Sequence, residues 1–201
     1  MRIGIMGGSF DPIHNGHIAV ADAVYKELKL NKVLFMPSGN PPHKKLMTDG
    51  QTRLDMIKLA LKDYDYFEAS DYELCREGTI YTADTLVSLH QKYPENEYTF
   101  IIGADSLFYL KNWYRPDIIL QNADIAVCAR DNSSLEMIED SISDIKKIYN
   151  DATVHIVDFE CVDISSNEIR QGIYTNEELC KYIPEDVYFY IVRKGLYKNE
   201  V

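Results

Sequence analysis

Two histidines three residues apart, His14 and His17, close the stretch GGSFDPIHNGH at residues 7–17. An imidazole can donate to an anion, move a proton or bind a metal. A metal site needs further His, Cys or carboxylate groups at ligand spacing, and none follows nearby. The setting instead suits phosphate: a strand ending in Gly7-Gly8 and turning into a helix presents unpaired amides at the helix start. The spacing is neither the GxxxxGK[ST] of a P-loop nor GxGxxG. Gly16, between the two rings, reads as a point where a ligand approaches the backbone closely. The plain alternative is a pair of capping or solvated histidines.

Other residues able to do chemistry are spread along the chain. Lys44 and Lys45 stand in the Pro- and Gly-rich loop SGNPPHKKLMTDG, which reads either as a solvated tip or as a lid over a ligand. Gly103 and Asp105 follow an apolar run, so the carboxylate either meets ribose hydroxyls beyond a strand end or caps a helix. Trp113, the single Trp, has polar neighbours and a following Pro; it is either core or a stacking surface. Ser165 and Ser166 open SSNEIR, where Glu168 completes a capping box and Arg170 adds a cation. Cys75, Cys128, Cys161 and Cys180 are scattered without a CxxC pair and read as buried reduced thiols.

These residues need elements to position them. Residues 2–6 read as a buried strand, then a helix carries Ile18, Ala21, Val24, Tyr25 and Leu28 on one face. A strand at 32–37 precedes the Pro-rich loop and a helix burying Leu54, Ile57, Ala60 and Leu61. YFEASDYEL reads as extended, TADTLVSLHQKY as helix, YTFIIGADS as a strand running into a turn, and DIAVCAR as another strand. A helix over 135–149, the strand TVHIVDF and short C-terminal helices complete the order. Strands alternating with helices predict an α/β fold, a Rossmann-like doubly wound parallel sheet covered on both faces. One domain over 1–201 is expected, its C-terminal helical part starting at about 165.

Composition narrows the partners. With 46% hydrophobic and 26% charged residues, the chain can bury a sizeable core. A net charge of −11 disfavours long nucleic acid, while an anionic small molecule is acceptable where basic groups and amides converge. No apolar run reaches the about 18 residues of a membrane span. MRIGIMGG is too short and too Gly-punctuated for a signal peptide, so a cytoplasmic location is expected.

Taken together, GGSFDPIHNGH, MPSGNPPHK, YTADTL, IIGADSL, NWYRP, ISSNEIR and YIPEDVYFYIVRKGLY stand in the order found in one family. The chain resembles the HxGH nucleotidyltransferase superfamily and, within it, the bacterial nicotinate-nucleotide adenylyltransferases, from end to end. Departures are Ile80 where Ser is frequent, Asn167 where Thr is common, and ARDN at 129–132 where Arg-Pro-Gly is frequent.

The resemblance implies adenylyl transfer from ATP to nicotinate mononucleotide, with Mg²⁺ arriving on the nucleotide and no metal ligand from the protein. It implies catalytic roles for His14, His17, Lys44 and Arg170. ATP would meet Gly8, Ser9, Phe10, His14, His17, Gly103, Asp105, Ser165, Ser166 and Arg170. Nicotinate mononucleotide would meet Lys44, Thr82, Trp113 and Tyr114, with Trp113 stacked on the pyridine and the Thr82 and Tyr114 amides on its carboxylate. No nucleic-acid or membrane partner is implied, and a homo-oligomer is compatible with it. Rival readings are a transferase acting on phosphopantetheine or the amide mononucleotide, a noncatalytic nucleotide sensor, and a class I aminoacyl-tRNA synthetase core.

Overall fold

The computed structural model describes residues 1–40, 48–129, 132–159, 162 and 164–198, with the side chains of 132–134 excepted. Among them, six parallel strands form one sheet: β1 (Arg2–Gly8), β2 (Lys32–Pro37), β3 (Phe67–Ala69), β4 (Glu97–Gly103), β5 (Asp124–Ala129) and β6 (Val154–Asp158). The spatial order is β3-β2-β1-β4-β5-β6. The chain therefore builds outward from β1 to one edge, crosses back, and builds outward again from β4. Its strand order reverses between β1 and β4, and such a reversal opens a crevice at the carboxyl ends of the strands.

Alternation along the strands divides the core. Met6, Val33, Phe35, Ile101, Ala126 and Val157 pack beneath α1 (Asn15–Glu27), α2 (Gly50–Leu61), α7 (Ser166–Gly172) and α8 (Glu185–Lys194). Ile3, Ile5, Leu34, Phe100, Ile102, Ile125 and Val127 face α3 (Thr82–Lys92), α4 (Ala104–Tyr109), α5 (Pro116–Asn122) and α6 (Asn132–Ile148). Strands apolar on both faces are what a parallel sheet between two helical layers requires. Ile125 is wholly buried in β5, between β4 and β6. Ile125→Ala should therefore lower unfolding stability by about 2–5 kcal/mol, read from the urea midpoint at constant m. A loss well under about 1 kcal/mol would contradict this placement of the core.

The expected elements are present, with differences that have local causes. Helix α1 buries Ile18, Ala21 and Val24, and Tyr25 and Leu28 are partly buried. It ends at Glu27 rather than near 30, because Lys29 turns left-handed (φ 49°) and the Leu30 N–H closes on the Tyr25 carbonyl. The extended segment after 66 shortens to the three residues of β3. Beyond it the Cys75 N–H bonds the Asp71 carbonyl, closing a helical turn instead of continuing the strand. Residues 104–122, which include the turn expected after YTFII, hold α4, a 3₁₀ turn at Leu110–Asn112, and α5. The segment around NEELCKYI is a 3₁₀ turn, Glu177–Tyr182. Of the cysteines, Cys128 is buried, but Cys75 and Cys180 are exposed; Cys161 lies outside the described residues.

Candidate active site

Two cavities sit over the carboxyl ends of β1 and β4 and share Gly7, Phe100 and Trp113 as a common wall. One, of about 450 Å³, is lined by Ser9, His14, Gly16, His17, Gly103, Ser106, Ser165, Ser166, Asn167 and Arg170 among others. Its neighbour, about 290 Å³, is more apolar and is lined by Gly8, Ile80, Tyr81, Thr82, Trp113 and Tyr114 among others. The topology thus gathers residues from both halves of the sheet at its point of reversal.

The turn after β1 sets the two imidazoles. Phe10 is left-handed (φ 47°), and its buried ring meets His17 edge-on at 5.0 Å between centroids. His14 is the N-cap residue of α1, and its ring lies 3.7 Å from that of His17, centroid to centroid. The His14 backbone N–H donates to His17 Nδ1 at 3.2 Å. An Nδ1 that accepts cannot carry the proton, so the neutral ring bears it on Nε2 as a donor. Gly16 lines the larger cavity, and its bare backbone also serves the packing of the turn. A Cβ there would meet the His14 ring at 3.0 Å and the Val162 carbonyl at 3.3 Å, so the missing side chain also makes room for His14.

The cation of α7 is also held at two points. Arg170 donates from Nη1 to the Asp11 carbonyl at 2.7 Å and from Nη2 to Asn167 Oδ1 at 3.0 Å. Asn167, one of the departures from the family pattern, thereby helps to orient the guanidinium. Ser165 caps α7 in a capping box with Glu168, and that bonding holds the Glu168 carboxyl below its usual range. Ser166 spends its hydroxyl on the Pro12 carbonyl at 2.9 Å. Both serine hydroxyls are thus committed within the protein, as are the Ser165 and Glu168 amides of the capping box, while the Ser166 and Asn167 amides have no acceptor within the helix.

On the other side of Gly103 the site is open. A Cβ at Gly103 would meet nothing within 4 Å, which lets a ligand lie against the backbone where β4 ends. Gly103 is the N-cap residue of α4, so Asp105 does not cap that helix; it is exposed in the first turn and is not part of the cavity lining. Trp113 is partly buried, with its ring edge-on to Phe100 at 6.2 Å. Tyr114 stacks loosely on Tyr81 at 4.3 Å, and Thr82 is the first residue of α3. Helix α3 opens with the Thr85 N–H on the Tyr81 carbonyl, so the amides before it have no acceptor within the helix. Lys44 lies outside the described residues.

The Cytidylyltransferase-like family profile matches residues 5–172. A protein of Lachnoclostridium phytofermentans named "Probable nicotinate-nucleotide adenylyltransferase" is 37% identical over 198 residues, covering 98% of each chain. One of the same name from Clostridium novyi is 39% identical, covering 97% of this chain and 98% of that one. The chain belongs to the cytidylyltransferase-like family, among the nicotinate-nucleotide adenylyltransferases. The Plasmodium falciparum nicotinic acid mononucleotide adenylyltransferase, solved in complex with NaAD, superimposes with a TM-score of 0.80. It covers 98% of this chain and 97% of its own at 20% identity, a likeness of fold.

Three groups at this family site escape a reading by residue type. Arg53, buried on α2, donates to the Ser9 carbonyl at 2.9 Å and the Ser38 carbonyl at 2.8 Å. Asp11, also buried, accepts from Thr48 Oγ1 and Tyr197 Oη, each at 2.8 Å. Glu73 lines the smaller cavity and accepts from Thr85 Oγ1 at 2.8 Å; burial raises its pKa. Cys128 borders the larger cavity, but burial pushes its thiol up to about 12, which keeps it protonated and a poor nucleophile. Among the described residues, no helix is long and apolar enough to cross a membrane.

Proposed function

We propose that the protein transfers the adenylyl group of ATP to nicotinate mononucleotide, forming deamido-NAD and pyrophosphate in NAD biosynthesis. The observation that carries this reading is the paired cavities: one bordered by His14, His17 and Arg170, and a more apolar one beside Trp113 and the start of α3. One suits a polyphosphate, the other a pyridine ring, and their shared wall lets the two substrates meet. The relatives' name and the NaAD of the Plasmodium structure support the same pairing.

In this reading a phosphate oxygen of the mononucleotide attacks the α-phosphorus of ATP. The new P–O bond forms as the bond to the bridging oxygen breaks, and pyrophosphate leaves with that electron pair. The attacking group is already an anion, so no general base is required, and catalysis reduces to alignment and charge stabilisation. His17 donates Nε2–H to the α-phosphate, and Arg170 offsets charge on the phosphates. His14, Gly8, Ser9 and Phe10 shape the turn around them, while Ser166 contributes its backbone amide and Ser165, its own amide held by Glu168, fixes the start of the helix. Gly103 lets the ribose lie on the backbone, with the exposed Asp105 carboxylate at its edge. Lys44 enters on the PPHK motif alone, as a cation for both substrates. Trp113 stacks on the pyridine, and the Thr82 and Tyr114 amides receive its carboxylate.

The donors around the larger cavity are N–H and O–H groups, which suit phosphate oxygens. Mg²⁺ would accordingly be held by the nucleotide's phosphates and water, where it supplies neutralisation of the triphosphate and of the leaving pyrophosphate. The reading includes a single domain over 1–201 with its helical C-terminal part from about 165, a cytoplasmic location, no nucleic-acid partner and freedom to form a homo-oligomer. Initial rates of pyrophosphate release with nicotinate mononucleotide and phosphopantetheine test it. Release with the first alone is expected; release with phosphopantetheine alone would overturn the substrate assignment.

A further inference from the structure

Arg53 is almost wholly buried, at 1% exposure, yet its guanidinium donates to two backbone carbonyls rather than to a carboxylate. Burying a guanidinium is costly, and desolvation accordingly pulls its pKa down against the charges of Asp11 and Asp49. An apolar side chain would fill the same space more cheaply, so the charge is retained for what it bonds. The two carbonyls belong to Ser9 and Ser38, the residues that follow β1 and β2. The Ser38 N–H also bonds the Gly8 carbonyl at 2.8 Å, so the two loops are tied at adjacent points.

What lies between these ties and the cavity is the left-handed turn at Phe10. A bulky residue at positive φ is strained and persists only where its flanks are over-determined. Arg53 holds the Ser9 side of that turn, and Asp11, through Thr48 and Tyr197, holds the other. The turn in turn reaches two groups of the larger cavity: the Phe10 ring abuts His17, and the Asp11 carbonyl receives Arg170. We propose that Arg53 is a positioning residue for adenylyl transfer, locking the Phe10 turn so that His17 and Arg170 stay aligned on the polyphosphate. The role rests on the proposed function and extends it to a residue that touches neither substrate.

Two variants separate positioning from folding. Arg53→Lys keeps the charge but replaces a rigid two-pronged donor with a single ammonium, which cannot reproduce both bonds. It should fold, with kcat reduced roughly tenfold to hundredfold and KM for the mononucleotide within about twofold of the unsubstituted protein, because Arg53 reaches the smaller cavity only through the Ser38 carbonyl and bonds none of Thr82, Trp113 and Tyr114. Arg53→Ala should lose more, and guanidinium ion at low millimolar concentration should restore part of its kcat while leaving the unsubstituted protein unchanged. A folded Arg53→Lys with unchanged kcat would overturn the proposal, as would an Arg53→Ala that folds and gains nothing from guanidinium. If the unsubstituted protein releases no pyrophosphate with ATP and nicotinate mononucleotide, the functional reading fails first, and that outcome is distinct from either.

Discussion

Replacing His17 by Ala should lower kcat by roughly a hundredfold to a thousandfold, the scale of removing one preorganised donor from a developing charge. The His14 N–H on Nδ1 leaves the imidazole a single proton to give, from Nε2, and the Phe10 ring fixes its plane. Such a donor needs no reorientation as charge grows on the transferring group, so its loss falls mainly on the transition state. Binding of ATP, measured separately by calorimetry, should weaken far less. Intact folding is checked by an unchanged thermal transition. A folded His17→Ala with near-normal kcat would remove His17 from the chemistry.

The second large effect is discrimination between the acid mononucleotide and its amide. The first amides of α3 have no acceptor within the helix, and Thr82 and Tyr114 border the cavity that also holds Trp113. A carboxylate accepts at both oxygens, whereas an amide turns an NH₂ toward one of these donors and leaves it unsatisfied. An unsatisfied buried donor costs about 1–3 kcal/mol, and the lost charge on the acceptor adds to it. The acid should therefore lead in kcat/KM by more than roughly tenfold, and by up to several hundredfold. Trp113→Ala should weaken both substrates without reversing their order, because stacking does not distinguish them. Equal kcat/KM for acid and amide would overturn the assignment of those amides while leaving adenylyl transfer intact.

Much of this molecule is legible in its sequence, and what is not has physical reasons. The alternation of apolar runs with helical spacing reveals the doubly wound sheet, because the central strands read as short apolar runs and the long helices carry their own period. Helices α4 and α5, of six and seven residues, are too short to show a period. The candidate residues at the larger cavity, His14, His17, Ser165, Ser166 and Arg170, come together because motif residues at strand ends share one edge of the sheet. Arg53 gives no such signal: its partners are carbonyls 44 and 15 residues away, and every residue has a carbonyl. Asp11 reaches Tyr197 across 186 residues, a pairing that only the fold creates. Gly16 has a second reason that its spacing does not show, since a Cβ there would crowd the neighbouring His14 ring.

The fate of the ATP phosphates tests the central claim most directly. ATP labelled at the α-phosphate, incubated with nicotinate mononucleotide and Mg²⁺, should pass its label into a dinucleotide with the mass of deamido-NAD, while label at the γ-phosphate leaves as pyrophosphate. Label from the γ-phosphate recovered as inorganic phosphate, with the α-label remaining in ADP, would contradict adenylyl transfer outright.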